Sequence, residues 1–211
     1  MTRFQTVFAK AGVAFASVLA LNQAVSAAVV YEDSGSAQFS NPQGLEIGDQ
    51  IKLAGTDRIV TEFKTQFFLS AASGDEGVTV RFYNVGAGNT VGDLIYVSPE
   101  KNITKEGFGT IAVSGISVAV NDSFVWTVTF NGVNGTTEQS GLLHSLNSAP
   151  AIGSSDDFFW AREGGIFKSK ATDGLNDNFN AQVTAVPEPG TWALLLTGVA
   201  GLGAFGYRRK S

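Results

Sequence analysis

The stretch RIVTEFKTQFFLS, residues 58–70, alternates with a period of two. Ile59, Phe63 and Phe67 share one parity with Thr61 and Thr65, while Glu62, Lys64 and Gln66 share the other. A strand built from it buries one face and wets the other, whereas a helix would gather no clean apolar stripe. SFVWTVTF, residues 123–130, repeats the pattern: Phe124, Trp126, Val128 and Phe130 lie on one side, Thr127 and Thr129 on the other. The NGVNG that follows reads as a hairpin turn. A chain dominated by such segments must bury its apolar faces sheet against sheet.

Further strand candidates are residues 45–53, 78–85, 93–97, 110–120, 157–162, 165–169 and 178–185, bounded by Gly, Asn, Asp and Ser. Their number and spacing predict an all-β fold, an antiparallel two-sheet sandwich that is jelly-roll-like. Residues 140–155, rich in Ser, Asn, Pro and Gly, read as a long surface loop. No repeat of fixed period appears, which argues against a propeller or solenoid. Composition agrees: 25 glycines, 16 phenylalanines and only 16% charged residues suit a turn-rich β protein.

The formal charge of −5 hides an asymmetry. Five of the fourteen basic residues, Arg3, Lys10, Arg208, Arg209 and Lys210, sit at the two ends, and all nineteen acidic residues lie between them. The middle therefore carries roughly −10, which disfavours nucleic acid as a partner because nothing there would neutralise phosphates.

Both ends read as addresses. Arg3 and Lys10 precede an apolar stretch over residues 11–21, and Val25, Ser26 and Ala27 supply small residues, so the layout is that of a secretory signal peptide cut after Ala27 or, one residue later, after Ala28. The apolar stretch is short for a bilayer, which takes about 20 residues. At the other end, residues 191–207 form an uncharged run whose helical length would be roughly 25 Å, near the lower limit for crossing a membrane. Trp192 and Tyr207 stand at its edges, and Arg208, Arg209 and Lys210 form a basic tip that holds this end in the cytoplasm with the domain outside. Just before the run, Pro187 and Pro189 frame Glu188 and hold the backbone extended.

Val186, Pro187, Glu188 and Pro189, then an apolar run, then the arginine-rich tip together resemble a PEP-CTERM sorting signal, over about the last 26 residues. The resemblance implies export through the Sec translocon, transient inner-membrane anchoring, and processing by an exosortase of a Gram-negative bacterium near the Pro-Glu-Pro motif. It further implies residence at the cell surface or in an extracellular matrix beside exopolysaccharide, as in biofilm. The organisation expected is a signal peptide over residues 1–27, a β-sandwich over 28–185 and a sorting signal with a transmembrane helix over 186–211.

Catalytic groups are scarce. There is no cysteine, and the one histidine, His144, lies in GLLHSLN, read as a surface loop without a nucleophile elbow. The acidic pairs Asp75–Glu76 and Asp156–Asp157 are adjacent in sequence, so on a strand their carboxylates point to opposite faces rather than across a cleft. No catalytic residue and no cofactor is assigned, apart from a candidate calcium site. ATDGLNDNFN offers oxygen donors at Asp173, Asn176 and Asp177, but without EF-hand spacing. Phe159, Trp160 and Tyr83 are the candidate rings for a sugar platform, the competing reading being that they fill the core. Three functions compete on these grounds: a noncatalytic exported surface or matrix protein, a carbohydrate-binding module, and a secreted hydrolase acting through Asp156 or Asp157.

Overall fold

The computed structural model describes residues 26–34, 37–39, 45–133, 136–146, 149–171 and 177–188. Among these residues the chain forms fourteen strands and no helix, arranged in two antiparallel sheets. The fold is all-β, as the alternation requires.

The first sheet is organised around β4 (Ile59–Leu69). One edge of β4 pairs along its length with β8 (Gly107–Ala119). The other edge pairs with β14 (Ala181–Val186) over Ile59–Thr65 and with β10 (Ser140–Leu146) over Phe67–Leu69. Beyond β14 lies β1 (Ala28–Asp33), and β10 also carries β2 (Ala37–Phe39) and β13 (Asp177–Phe179). The second sheet runs β12 (Ile166–Lys170), β11 (Ser154–Glu163), β3 (Glu46–Lys52), β9 (Ser123–Asn131), β5 (Gly77–Gly86), β6 (Thr90–Val97), with β7 (Lys101–Asn102) on β5.

The main core lies between the sheets. Phe63 of β4 meets Trp126 of β9 at 5.0 Å and Phe82 of β5 at 5.5 Å between ring centroids, and all three are fully buried. Phe63 and Trp126 come from the parities that alternation marks as inward. The second sheet is also curled on itself. In a flat sheet with strands about 4.8 Å apart, β5 and β12 would lie about 19 Å from each other. Yet the rings of Tyr83 on β5 and Phe167 on β12 meet edge to face at 5.2 Å. The sheet therefore bends into a half-barrel whose concave side encloses a second apolar cluster of Tyr83, Val125 and Trp160, flanked by Phe158 and Phe167. Gly48 permits the close approach of β3 and β9, since a Cβ there would fall 1.8 Å from the Trp126 carbonyl oxygen.

Three expectations are corrected. Residues 140–155 are not one loop, because their first half is β10, paired on several sides. The Asn131 turn is not a hairpin: β9 belongs to the second sheet and β10 to the first, so the connection crosses between layers. Residues 178–185 are not one strand but two, divided at Asn180. There the backbone N–H bonds the Leu143 carbonyl at 2.9 Å and the carbonyl accepts the Thr65 hydroxyl at 2.7 Å.

Gly48→Ala should lower the urea midpoint of unfolding, at a cost of about 1–3 kcal/mol, because β3 and β9 must part to admit the methyl. An unchanged midpoint would show that the curl does not depend on this contact.

Candidate functional site

The concave side of the half-barrel holds one buried carboxylate at its centre. Glu46 Oε1 accepts the Tyr83 hydroxyl at 2.6 Å and the Thr127 hydroxyl at 2.7 Å, and Oε2 accepts Arg162 Nη1 at 3.2 Å. Arg81 Nη1 stands 3.9 Å from Oε1 and donates to the Thr129 hydroxyl at 2.6 Å. Burial, then the bond to Glu46, pushes the Tyr83 phenol well above its ordinary value. The candidate rings are thereby located. Tyr83 is 6% exposed and Trp160 is 5% exposed, both within the concave cluster. Phe159 points the other way, into the inter-sheet core, where it meets Phe179 at 5.3 Å. A sugar stacks on an open ring face, and these rings turn theirs toward other side chains.

A second buried carboxylate, Asp49, lies between the sheets and is fully enclosed. Its Oδ2 accepts the Ser155 hydroxyl at 2.9 Å and the Phe179 N–H at 3.3 Å, and its Oδ1 has no hydrogen-bond partner among the described residues. Burial pushes its carboxyl well above the usual carboxylate range. Beside it the Tyr31 phenol is driven up by burial, then by the charges of Asp49 and Asp33. Asp33 Oδ1 and Asn180 Oδ1 each lie 2.8 Å from the Ser145 hydroxyl. These polar groups gather where Asn180 divides β13 from β14, so they serve the corner of the fold.

Of the acidic candidates, Asp75, Glu76 and Asp156 are committed to local structure. Glu76 accepts the Ser73 and Gly74 N–H groups and the Ser73 hydroxyl, and the Ser73 amide chiefly holds its carboxyl down, at about 2. Asp75 accepts the same hydroxyl at 2.6 Å. Asp156 accepts the side-chain amides of Gln50 at 2.9 Å and Asn89 at 3.3 Å, while Asp157 is exposed. His144 is a strand residue of β10, half-buried with its ring 6.0 Å from Phe179, not a loop residue. Among the described residues no group of three or more His, Asp or Glu side chains converges as a metal site. Of the candidate calcium ligands, Asp173 and Asn176 lie outside the described residues, and Asp177 is placed only as the first residue of β13.

The geometry at the ends of the domain is more telling. Val186 is the last residue of β14 and pairs with Ile59. Ala185, one residue earlier, pairs with Val60 on one side and with Ala28 on the other. Ala27 is exposed, immediately before β1, so the residues that precede β1 and those that follow β14 lie at the same end of two neighbouring strands. Pro187 is half-buried and Glu188 exposed. Glu188 borders an open groove of about 480 Å³ lined also by Arg58, Asn121, Asp122 and Ser123. Arg58 is fixed there by Asp122 Oδ1 at 2.7 and 2.9 Å and by the carbonyls of Gly55 and Asp57, each at 2.8 Å. Pro189, the 191–207 run, and Arg208, Arg209 and Lys210 lie outside the described residues. Among the described residues no helix is long and apolar enough to cross a membrane.

Comparison with known families places a PEP-CTERM protein-sorting motif at residues 185–210, beginning on the residue that pairs with Ala28. The match supports an exosortase-sorted, exported cell-envelope protein. No curated protein and no solved structure matches the chain.

The raised Asp49 carboxyl sets a pH dependence. The folded chain keeps a proton that the unfolded chain releases in the ordinary aspartate range, so stability falls as pH rises above that range, until the folded group also ionises. Asp49→Asn should remove this slope, and its stability relative to the native chain should grow from pH 4 toward pH 8 in urea titrations. Parallel profiles for the two chains would place the proton elsewhere.

Proposed function

We propose that the chain is a noncatalytic exported protein of the cell surface or extracellular matrix, sorted and cut by an exosortase, whose sandwich associates with exopolysaccharide. The observation that carries the reading is the sorting motif attached without a linker to the end of β14. In this reading the Sec translocon passes the chain with residues 1–27 as signal peptide. The apolar run after Pro189 then holds it transiently in the inner membrane, and the jelly-roll-like domain faces outward throughout. The noncatalytic part is supported by how two of the acidic candidates are spent: Glu76 ties a turn and Asp156 receives two amides.

Mass spectrometry of the surface fraction from an exosortase-containing host should give an N-terminus near Ala28 and a chain lacking the basic tip. In an exosortase deletion the full tail should persist and the protein should stay with the membrane. Surface protein ending in an intact Ser211 would overturn the sorting reading. Release of the processed protein by polysaccharide-degrading enzymes tests the association with exopolysaccharide, and retention after complete digestion would count against it.

A further inference from the structure

Where β10 leaves β4 to pair with β2 and β13, one hydroxyl faces more acceptors than it has protons. Ser145 Oγ lies 2.8 Å from Asp33 Oδ1 and 2.8 Å from Asn180 Oδ1. The Asn180 amide nitrogen donates to Gln66 Oε1 at 2.9 Å, so its oxygen is the atom turned toward Ser145. Asn178 stands directly opposite Ser145 in the β10–β13 ladder, hence on the same face, where facing Cβ atoms lie about 5 Å apart. Its Oδ1 is enclosed and has no hydrogen-bond partner among the described residues. All four side chains are at most 3% exposed. Side-chain oxygens that accept thus gather around a hydroxyl carrying a single proton, and burial makes an unserved acceptor costly.

The corner is also reached from outside. Asp33, Asn180 and Gln66 line a groove of about 220 Å³, with Glu32 adding negative charge to its lining. Lys64, which lines it too, is tied to Glu62 at 3.0 Å. A set of one carboxylate, two amide carbonyls and a hydroxyl is hard and made only of oxygen. Calcium takes such ligands, neutral carbonyls included, at about 2.4 Å in a flexible shell, whereas magnesium keeps more of its water. Oxygens 2.8 Å apart can share one ion at that distance.

We infer that this corner is a calcium site: Asp33, Ser145, Asn178 and Asn180 hold the ion, and water in the groove completes its shell. The set shares no residue with the candidates read from ATDGLNDNFN. The ion ties the end of β1 to β10, β13 and the start of β14, the strand that leads into the sorting motif. Extracellular modules bind calcium at about 10⁻⁴–10⁻³ M, so an exported domain would fill the site outside the cell.

The full chain, purified in detergent, should melt about 5 °C or more higher in millimolar calcium than in EGTA, and millimolar magnesium should give less than half that rise. Equilibrium dialysis against radioactive calcium should show the bound ion directly. Asp33→Asn and, as a second variant, Asn178→Ala should each lose most of the calcium-dependent rise, while Asp173→Asn should keep it. No rise and no bound ion in the native chain would overturn the site and leave its acceptors to water. A rise that survives both Asp33→Asn and Asn178→Ala, or one lost only in Asp173→Asn, would place the ion elsewhere and overturn it equally.

Discussion

The ring contact between Phe63 and Trp126 joins the two sheets, and most of the molecule can be traced outward from it. Burying two large aromatic faces with Phe82 between sheets supplies the nondirectional driving force, and edge-to-face geometry fixes how the layers sit. Once Phe63 points inward, Glu62, Lys64 and Gln66 must point outward. Every strand paired with β4 then inherits its register, including β14 and the segment that follows it. The position of the sorting motif is thus a consequence of core packing several residues away.

The two buried carboxylates show how the same fold handles charge in opposite ways. Glu46 is enclosed by the curl of the second sheet, but two hydroxyls and two guanidinium groups surround it, which offsets the loss of water. Asp49 is enclosed by the core with two donors on Oδ2 and no cation paired with it among the described residues, and it responds by holding its proton. The first arrangement ties β3, β5, β9 and β11 together. The second makes the corner at Asn180 sensitive to pH.

Much of the fold is legible in the chain because half-buried strands carry a two-residue period. Residues 59–69 and 123–131 alternate, and both are strands. β10 is not legible: SGLLHSL lacks alternation, and its strand character comes from partners distant in sequence. β3 illustrates the harder case, since EIGDQIK puts Asp49 on the same parity as Ile47 and Ile51, and only the tertiary structure shows an acid inside. The sorting motif is linear and can be read directly. The burial of Tyr83 and Trp160 cannot be, because it depends on a sheet bending until strands four places apart touch.

The antiparallel placement of β1 against β14, with β4 on the far side, also decides how the protein bears load. A chain fastened through its C-terminal end and pulled by its surroundings feels the force along the axis of β14. Both ladders then resist in shear, with their hydrogen bonds loaded together. The same pull applied between the two termini would peel β1 away one bond at a time. A tether at the end of β14 would thus load both ladders in shear rather than peel them.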